Sequence, residues 1–170
     1  MGIARRQLLR GEFAATRSPL RPPWALNETA FLDRCTRCDA CRDACRAGII
    51  VRGSGGYPEV DFTHGECTLC ADCLTACSAG ALQARGSIAW SLRPSIADVC
   101  LGHRGVMCRS CGDACNADAI RFALAPGGVA RPHVVVDACT GCGACVRVCP
   151  VSAIAVHSRN LASLCEETIA

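Results

Sequence analysis

Sixteen of the seventeen cysteines fall into four successive groups: Cys35, Cys38, Cys41 and Cys45; Cys67, Cys70, Cys73 and Cys77; Cys100, Cys108, Cys111 and Cys115; and Cys139, Cys142, Cys145 and Cys149. In three of them the spacing is Cys-x2-Cys-x2-Cys-x3-Cys. A backbone curled around a cubic iron–sulfur cluster turns every third side chain inward, so cysteines at i, i+3 and i+6 can hold three irons of one 4Fe-4S cubane. The fourth cysteine begins the next structural element and, in two-cluster ferredoxins, ligates the neighbouring cluster. The sixteen cysteines therefore read as the iron ligands of four [4Fe-4S] clusters.

Other uses of the thiols fit less well. Structural zinc takes four thiolates from two CxxC pairs set apart, not from three cysteines in one wrap. A disulfide framework calls for a secretory signal, and the seventeen cysteines are an odd count. Cys165, beyond the fourth motif, reads as a free surface thiol.

Composition agrees. With only four Phe, two Trp and one Tyr in 170 residues, the clusters must stand in for much of an ordinary core, so cofactor binding and folding are one process. The formal charge of +3 counts every cysteine as neutral. Each oxidised cubane with its thiolates carries about −2, which takes the loaded protein to roughly −5. An acidic holoprotein does not offer the concentrated basic surface that nucleic-acid binding needs. All eighteen basic residues are arginine, and Arg34, Arg37, Arg42, Arg46, Arg104, Arg109 and Arg147 lie beside cysteines. They either favour the reduced clusters or stand solvated and offset cluster charge.

Internal repetition sets the expected architecture. Each fourth cysteine leads into a similar turn, ending at Ile49-Ile50, Ala81-Leu82, Ala119-Ile120 and Ala153-Ile154. Segments 49–62 and 120–136 each place two apolar runs around a Gly-Gly turn and predict hairpins. Segment 83–99, with Trp90 and Pro94, has no such turn and reads as a linker. The fold class is thus α+β: a basic arm (1–30), a two-cluster bacterial ferredoxin-like module (31–82), the linker (83–99), a second such module in tandem (100–158) and a tail (159–170). The ferredoxin rule then gives the ligand sets Cys35, Cys38, Cys41 and Cys77; Cys67, Cys70, Cys73 and Cys45; Cys100, Cys108, Cys111 and Cys149; and Cys139, Cys142, Cys145 and Cys115. A nested topology, pairing motif one with four and two with three, is the alternative. The first gap of motif three is seven residues long, which makes Cys100 the ligand whose assignment departs from the pattern.

Nothing in the sequence outlines a catalytic site. His64, His103, His133 and His157 are scattered, and no nucleophile–base pairing or phosphate-binding loop stands out. No apolar run approaches the roughly 18 residues of a membrane span. The Arg5-Arg6 pair suggests the start of an export signal, but Gly11, Glu12, Arg17, Pro19 and Arg21 interrupt any apolar stretch, so the segment reads as a retained arm on a cytoplasmic protein.

Arg5-Arg6, the Arg21-Pro22-Pro23-Trp24 run, Cys35 to Cys41, the Gly55 to Phe62 segment and Cys142 to Ile154 together resemble the NapF family, ferredoxin-type accessory proteins of the periplasmic nitrate reductase system. The resemblance implies a non-enzymatic iron–sulfur protein that binds the cytoplasmic precursor of the reductase catalytic subunit and assists its maturation, including iron–sulfur assembly, before export. Arg5 and Arg6 are the expected partner-binding residues. A plain electron-transfer protein or subunit with four clusters is the alternative.

Overall fold

The computed structural model describes residues 19–84, 89–124 and 127–158; Arg5, Arg6, Arg10, Arg17 and Cys165 lie outside them. Two halves follow one plan. In the first, α1 (Glu28–Arg34) is capped by Asn27, whose Oδ1 accepts from the Ala30 amide at 3.0 Å, and it buries Phe31. Motif one then curls into α2 (Ala40–Asp43). The hairpin β1 (Ile50–Arg52) and β2 (Pro58–Val60) follows, with Ile50 opposite Val60. Motif two leads into α3 (Asp72–Thr75), and Leu82 closes the half by an antiparallel bridge to Ala25.

The second half opens with β3 (Leu92–Ile96). Motif three runs into α4 (Ser110–Asp113), the hairpin β4 (Ile120–Leu124) and β5 (Ala130–Val134), then motif four, α5 (Ala144–Arg147) and β6 (Ile154–Ser158). Here β6 returns to pair with β3, Ile154 opposite Ile96. Both expected hairpins are present. In each half the two motif helices pack on each other, α2 on α3 and α4 on α5. The repeat reaches single dihedrals: Gly48, Gly80, Asp118 and Ser152, each three residues after a motif's fourth cysteine, have φ of 65°, 66°, 48° and 50°. No helix among the described residues is long and apolar enough to cross a membrane.

Two parts of the expected layout differ. The segment expected to be a linker carries β3: Leu92 and Ile96 alternate with Arg93 and Ser95, and Pro94 is accepted because β3 has a partner on one side only, where a missing N–H on the other costs nothing. The arm expected to run to residue 30 is folded structure from about Leu20, because Pro22, Pro23 and Leu26 are apolar and buried. The Leu20 carbonyl accepts from the Val60 amide at 2.7 Å.

Arg21 is correspondingly internal and not a free charge of the arm. Its side chain, 12% exposed, reaches Glu28 at 2.7 Å and Glu59 at 3.7 Å, donates to the Pro58 carbonyl at 3.1 Å and lies over the rings of Phe31 and Tyr57. Arg21→Ala is expected to destabilise the loaded protein by about 1–3 kcal/mol, since a buried carbonyl and two carboxylates lose their donor. Anaerobic thermal denaturation checks this, and Arg21→Lys, which lacks the planar fork, should recover little of the loss.

The halves meet along one seam. The Cys67 amide donates to the Cys142 carbonyl at 2.8 Å, and the Trp24 amide to the Ala89 carbonyl at 2.7 Å. Phe62 from the first half, 4% exposed, packs edge-on to Trp90 with ring centroids 5.8 Å apart.

A candidate iron–sulfur site

Three motifs share one unusual backbone. The residues flanking the middle cysteine have positive φ in motif one (Arg37 and Asp39), motif two (Leu69 and Ala71) and motif four (Gly141 and Gly143). Left-handed residues on both sides of one cysteine bend the chain into a shallow cup. Non-glycine residues there cost about 1–2 kcal/mol each, which the bound cluster must offset. Motif three does not repeat this, and Arg109 in the middle of its turn has φ −128°.

In the first half each cup is completed by a cysteine from the other motif. One hollow is lined by Cys35, Cys38, Cys41 and Cys77. A second is lined by Cys67, Cys70, Cys73 and Cys45. In the second half the Cys111 thiol lies in the field of Cys100 and Cys108, and that of Cys145 in the field of Cys142 and Cys139. Cys115 and Cys149 pack against the core formed by Cys111, Ile120, Cys145 and Ile154. Cys100 is therefore brought to its own motif despite the long gap.

The donor set fits a cluster. All sixteen described cysteines are free thiols. No three His, Cys, Asp or Glu side chains among the described residues stand close enough to hold a single metal ion, whereas four thiols line each of the two hollows of the first half. Amide donors already point at sulfur, from Ala153 to Cys149 at 3.1 Å, Ala119 to Cys115 at 3.3 Å and Leu69 to Cys67 at 3.4 Å. Such bonds stabilise the more negative, reduced cluster.

Burial, then the neighbouring thiols, pushes Cys73 and Cys145 up to about 12 and Cys41 and Cys111 up to about 11. Cys67 is raised too, with Cys142 of the other half among its neighbours, while hydrogen bonding, chiefly from the Ala40 amide, lowers Cys38. Without clusters the buried thiols hold their protons at neutral pH. Ligation needs thiolates, so loading releases protons and strengthens as pH rises.

The arginines beside motif one are largely paired. Arg42 meets Asp39 at 3.3 Å and Asp43 at 2.9 Å, Arg46 approaches Asp72 at 3.7 Å, and Arg37 lies over the Tyr57 ring. They offset local charge more than they reach sulfur. Sequence reasoning missed Phe62 and the positive-φ positions. Gly141 and Gly143 in motif four were the available signal for the latter.

Residues 106–153 match the 4Fe-4S dicluster domain family, and residues 32–48 match the 4Fe-4S binding domain family. Small helices and strands, cupped cysteine motifs and these matches define a ferredoxin-type iron–sulfur protein that binds 4Fe-4S clusters. The ferredoxin-type protein NapF of Haemophilus influenzae is 47% identical, covering 91% of this chain and 94% of its own length. NapF of Escherichia coli K12 is 44% identical over 89% and 92%. The ferredoxin-type protein NapG of E. coli K12 is 34% identical over 76% of this chain and 65% of its own length. The chain belongs to the NapF family of ferredoxin-type proteins, which are accessory proteins and not enzymes.

Cys100→Ala is expected to cost less iron than Cys142→Ala. The loop after Cys100 is long and exposed, so another donor can replace its thiolate, whereas Cys142 sits in the seam between the halves. Iron analysis of the two purified variants decides it, and equal losses would remove the ranking.

Proposed function

We propose that the chain is a cytoplasmic protein of two tandem two-cluster modules, holding four [4Fe-4S] clusters, that binds the immature catalytic subunit of periplasmic nitrate reductase and assists its iron–sulfur maturation before export. The observation that carries this reading is the near full-length identity to NapF proteins, supported in the first half by hollows lined by the cysteines of two of the expected ligand sets. Convergence of motif one with Cys77 and of motif two with Cys45 supports tandem over nested pairing. Arg5 and Arg6 are the proposed contacts to the precursor, through charge-assisted hydrogen bonds to its acidic groups.

When bound, the clusters supply one-electron chemistry or labile iron and sulfide. The protein's own part is to hold the thiolates in place, direct amides at sulfur and restrict solvent. An electron-transfer role is the second reading, favoured by the Cys67–Cys142 bond, which brings the motif-two and motif-four sites side by side.

A deletion strain separates the two. On the maturation reading the reductase polypeptide is still made but is recovered iron-depleted and weakly active, and loss of Arg5 and Arg6 weakens binding to the precursor with this protein's iron intact. Fully active, iron-replete reductase that lacks only its electron supply would overturn maturation in favour of electron transfer.

A further inference from the structure

We propose that Val106, Met107 and Leu124, rimmed by Arg104 and Arg109, form the surface on which an acidic, apolar-faced segment of the client protein docks. The seven-residue gap of motif three is where this chain departs from its own repeat, and the departure builds a surface. The loop is seated on the β4–β5 hairpin: a Cβ on Gly102 would meet Pro132 at 2.9 Å, and Arg109 lies 4.8 Å over the Phe122 ring. Phe122 and Pro132 are opposite one another in the hairpin, and Leu124 opposite Ala130 is the next pair on the same face. The loop covers the first pair and reaches the Ala130 carbonyl, 3.3 Å from a Cβ on Gly102, while the Leu124 side chain stays open.

What remains is apolar and in solvent. Met107 is 79% exposed, Leu124 84% and Val106 51%. Charge identifies the kind of partner. From Cys100 to Gly112 the chain has Arg104, Arg109 and His103 and no acidic residue. Both arginines are exposed, and neither has an ion pair among the described residues. An apolar centre inside an unpaired basic rim is complementary to apolar side chains flanked by carboxylates. The surface adjoins Cys108, so a client held there lies against the motif-three site.

The client's identity rests on the proposed function, and the experiment keeps the two apart. Affinity for the purified precursor of the nitrate reductase catalytic subunit is measured with anaerobically reconstituted protein, by biolayer interferometry, alongside iron content. Leu124→Glu and Met107→Glu should each weaken binding about tenfold or more, the scale of losing one buried aliphatic side chain, with iron unchanged. Met107→Lys should weaken it less, because it preserves the sign of the rim. Leu124, remote in sequence from any cysteine, guards against a loss that merely reflects a damaged motif.

Wild-type affinity in both Glu variants overturns the surface. Equal losses for Met107→Lys and Met107→Glu overturn the acidic partner. Wild-type protein that does not bind the precursor at all overturns the client itself, and with it the maturation reading. Self-association of the wild type that Leu124→Glu abolishes would assign the face to a second copy of this chain.

Discussion

Anaerobic reconstitution is expected to load about sixteen irons and sixteen inorganic sulfides per chain, and chelating them should collapse the fold. The second half shows why the loss would be so large. Its separate buried core consists of Cys111, Ile120, Cys145 and Ile154, so half of its members are cysteines. Two isoleucines, with the partly buried Ile96, Phe122 and Val146 around them and Leu92 and Val156 in the cluster shared with the first half, are little apolar burial against the roughly 1–2 kcal/mol per residue that ordering a backbone costs, and the bonds to iron must supply the balance. Without iron, the left-handed turns at Arg37, Asp39, Leu69 and Ala71 are strain with no return. Metal and sulfide analysis gives the stoichiometry, and circular dichroism before and after chelation follows the fold. About four zinc ions in place of iron would reverse the cofactor assignment, and an unchanged spectrum after chelation would refute the core argument.

Gly143→Ala should lower stability by about 2–5 kcal/mol, as the sum of left-handed strain and overpacking. Gly143 has φ +80°, and a Cβ there would stand 2.1 Å from Cδ1 of Phe62. The ring cannot yield freely, since it is held against Trp90. Moving it parts the two halves beside the Cys67–Cys142 bond, so iron should be lost from motifs two and four before the others. Combining Gly143→Ala with Phe62→Ala removes the clash and leaves the backbone strain, so the two effects should be clearly non-additive. A Gly143→Ala protein as stable as the wild type, or strictly additive effects, would show that the seam is not packed as described.

The 4Fe-4S character of the cysteine motifs and both hairpins could be read from the sequence because their causes are local. Cysteine spacing and Gly-Gly turns act over a few residues, and the repetition of four cysteine motifs set the order of elements. What could not be read depends on distant partners. β3 was hidden by Pro94, which argues against a strand until it is known that β6 pairs with one side of it only. Trp24 and Phe62 carry no mark in the sequence of their partners across the seam. Arg21 looked like arm charge because Glu28, Glu59 and the Pro58 carbonyl come together around it only after β2 packs on α1. Arg37, Asp39, Leu69 and Ala71 gave no sign of left-handed backbone, being residues that enter it at a cost.

The closing bridges also set a timetable on the ribosome. The first half is shut by Ala25 and Leu82, so both its motifs and its closing bridge are made before motif three, while Leu92 and Val156 of the second half join its core later. The second half has its opening strand made early and its closing strand, Ile154–Ser158, made last. Domains generally fold as units from the N-terminus during synthesis. The nascent chain thus offers its first eight thiols to the iron–sulfur assembly machinery ahead of the rest, while the other eight wait, open, for the final strand.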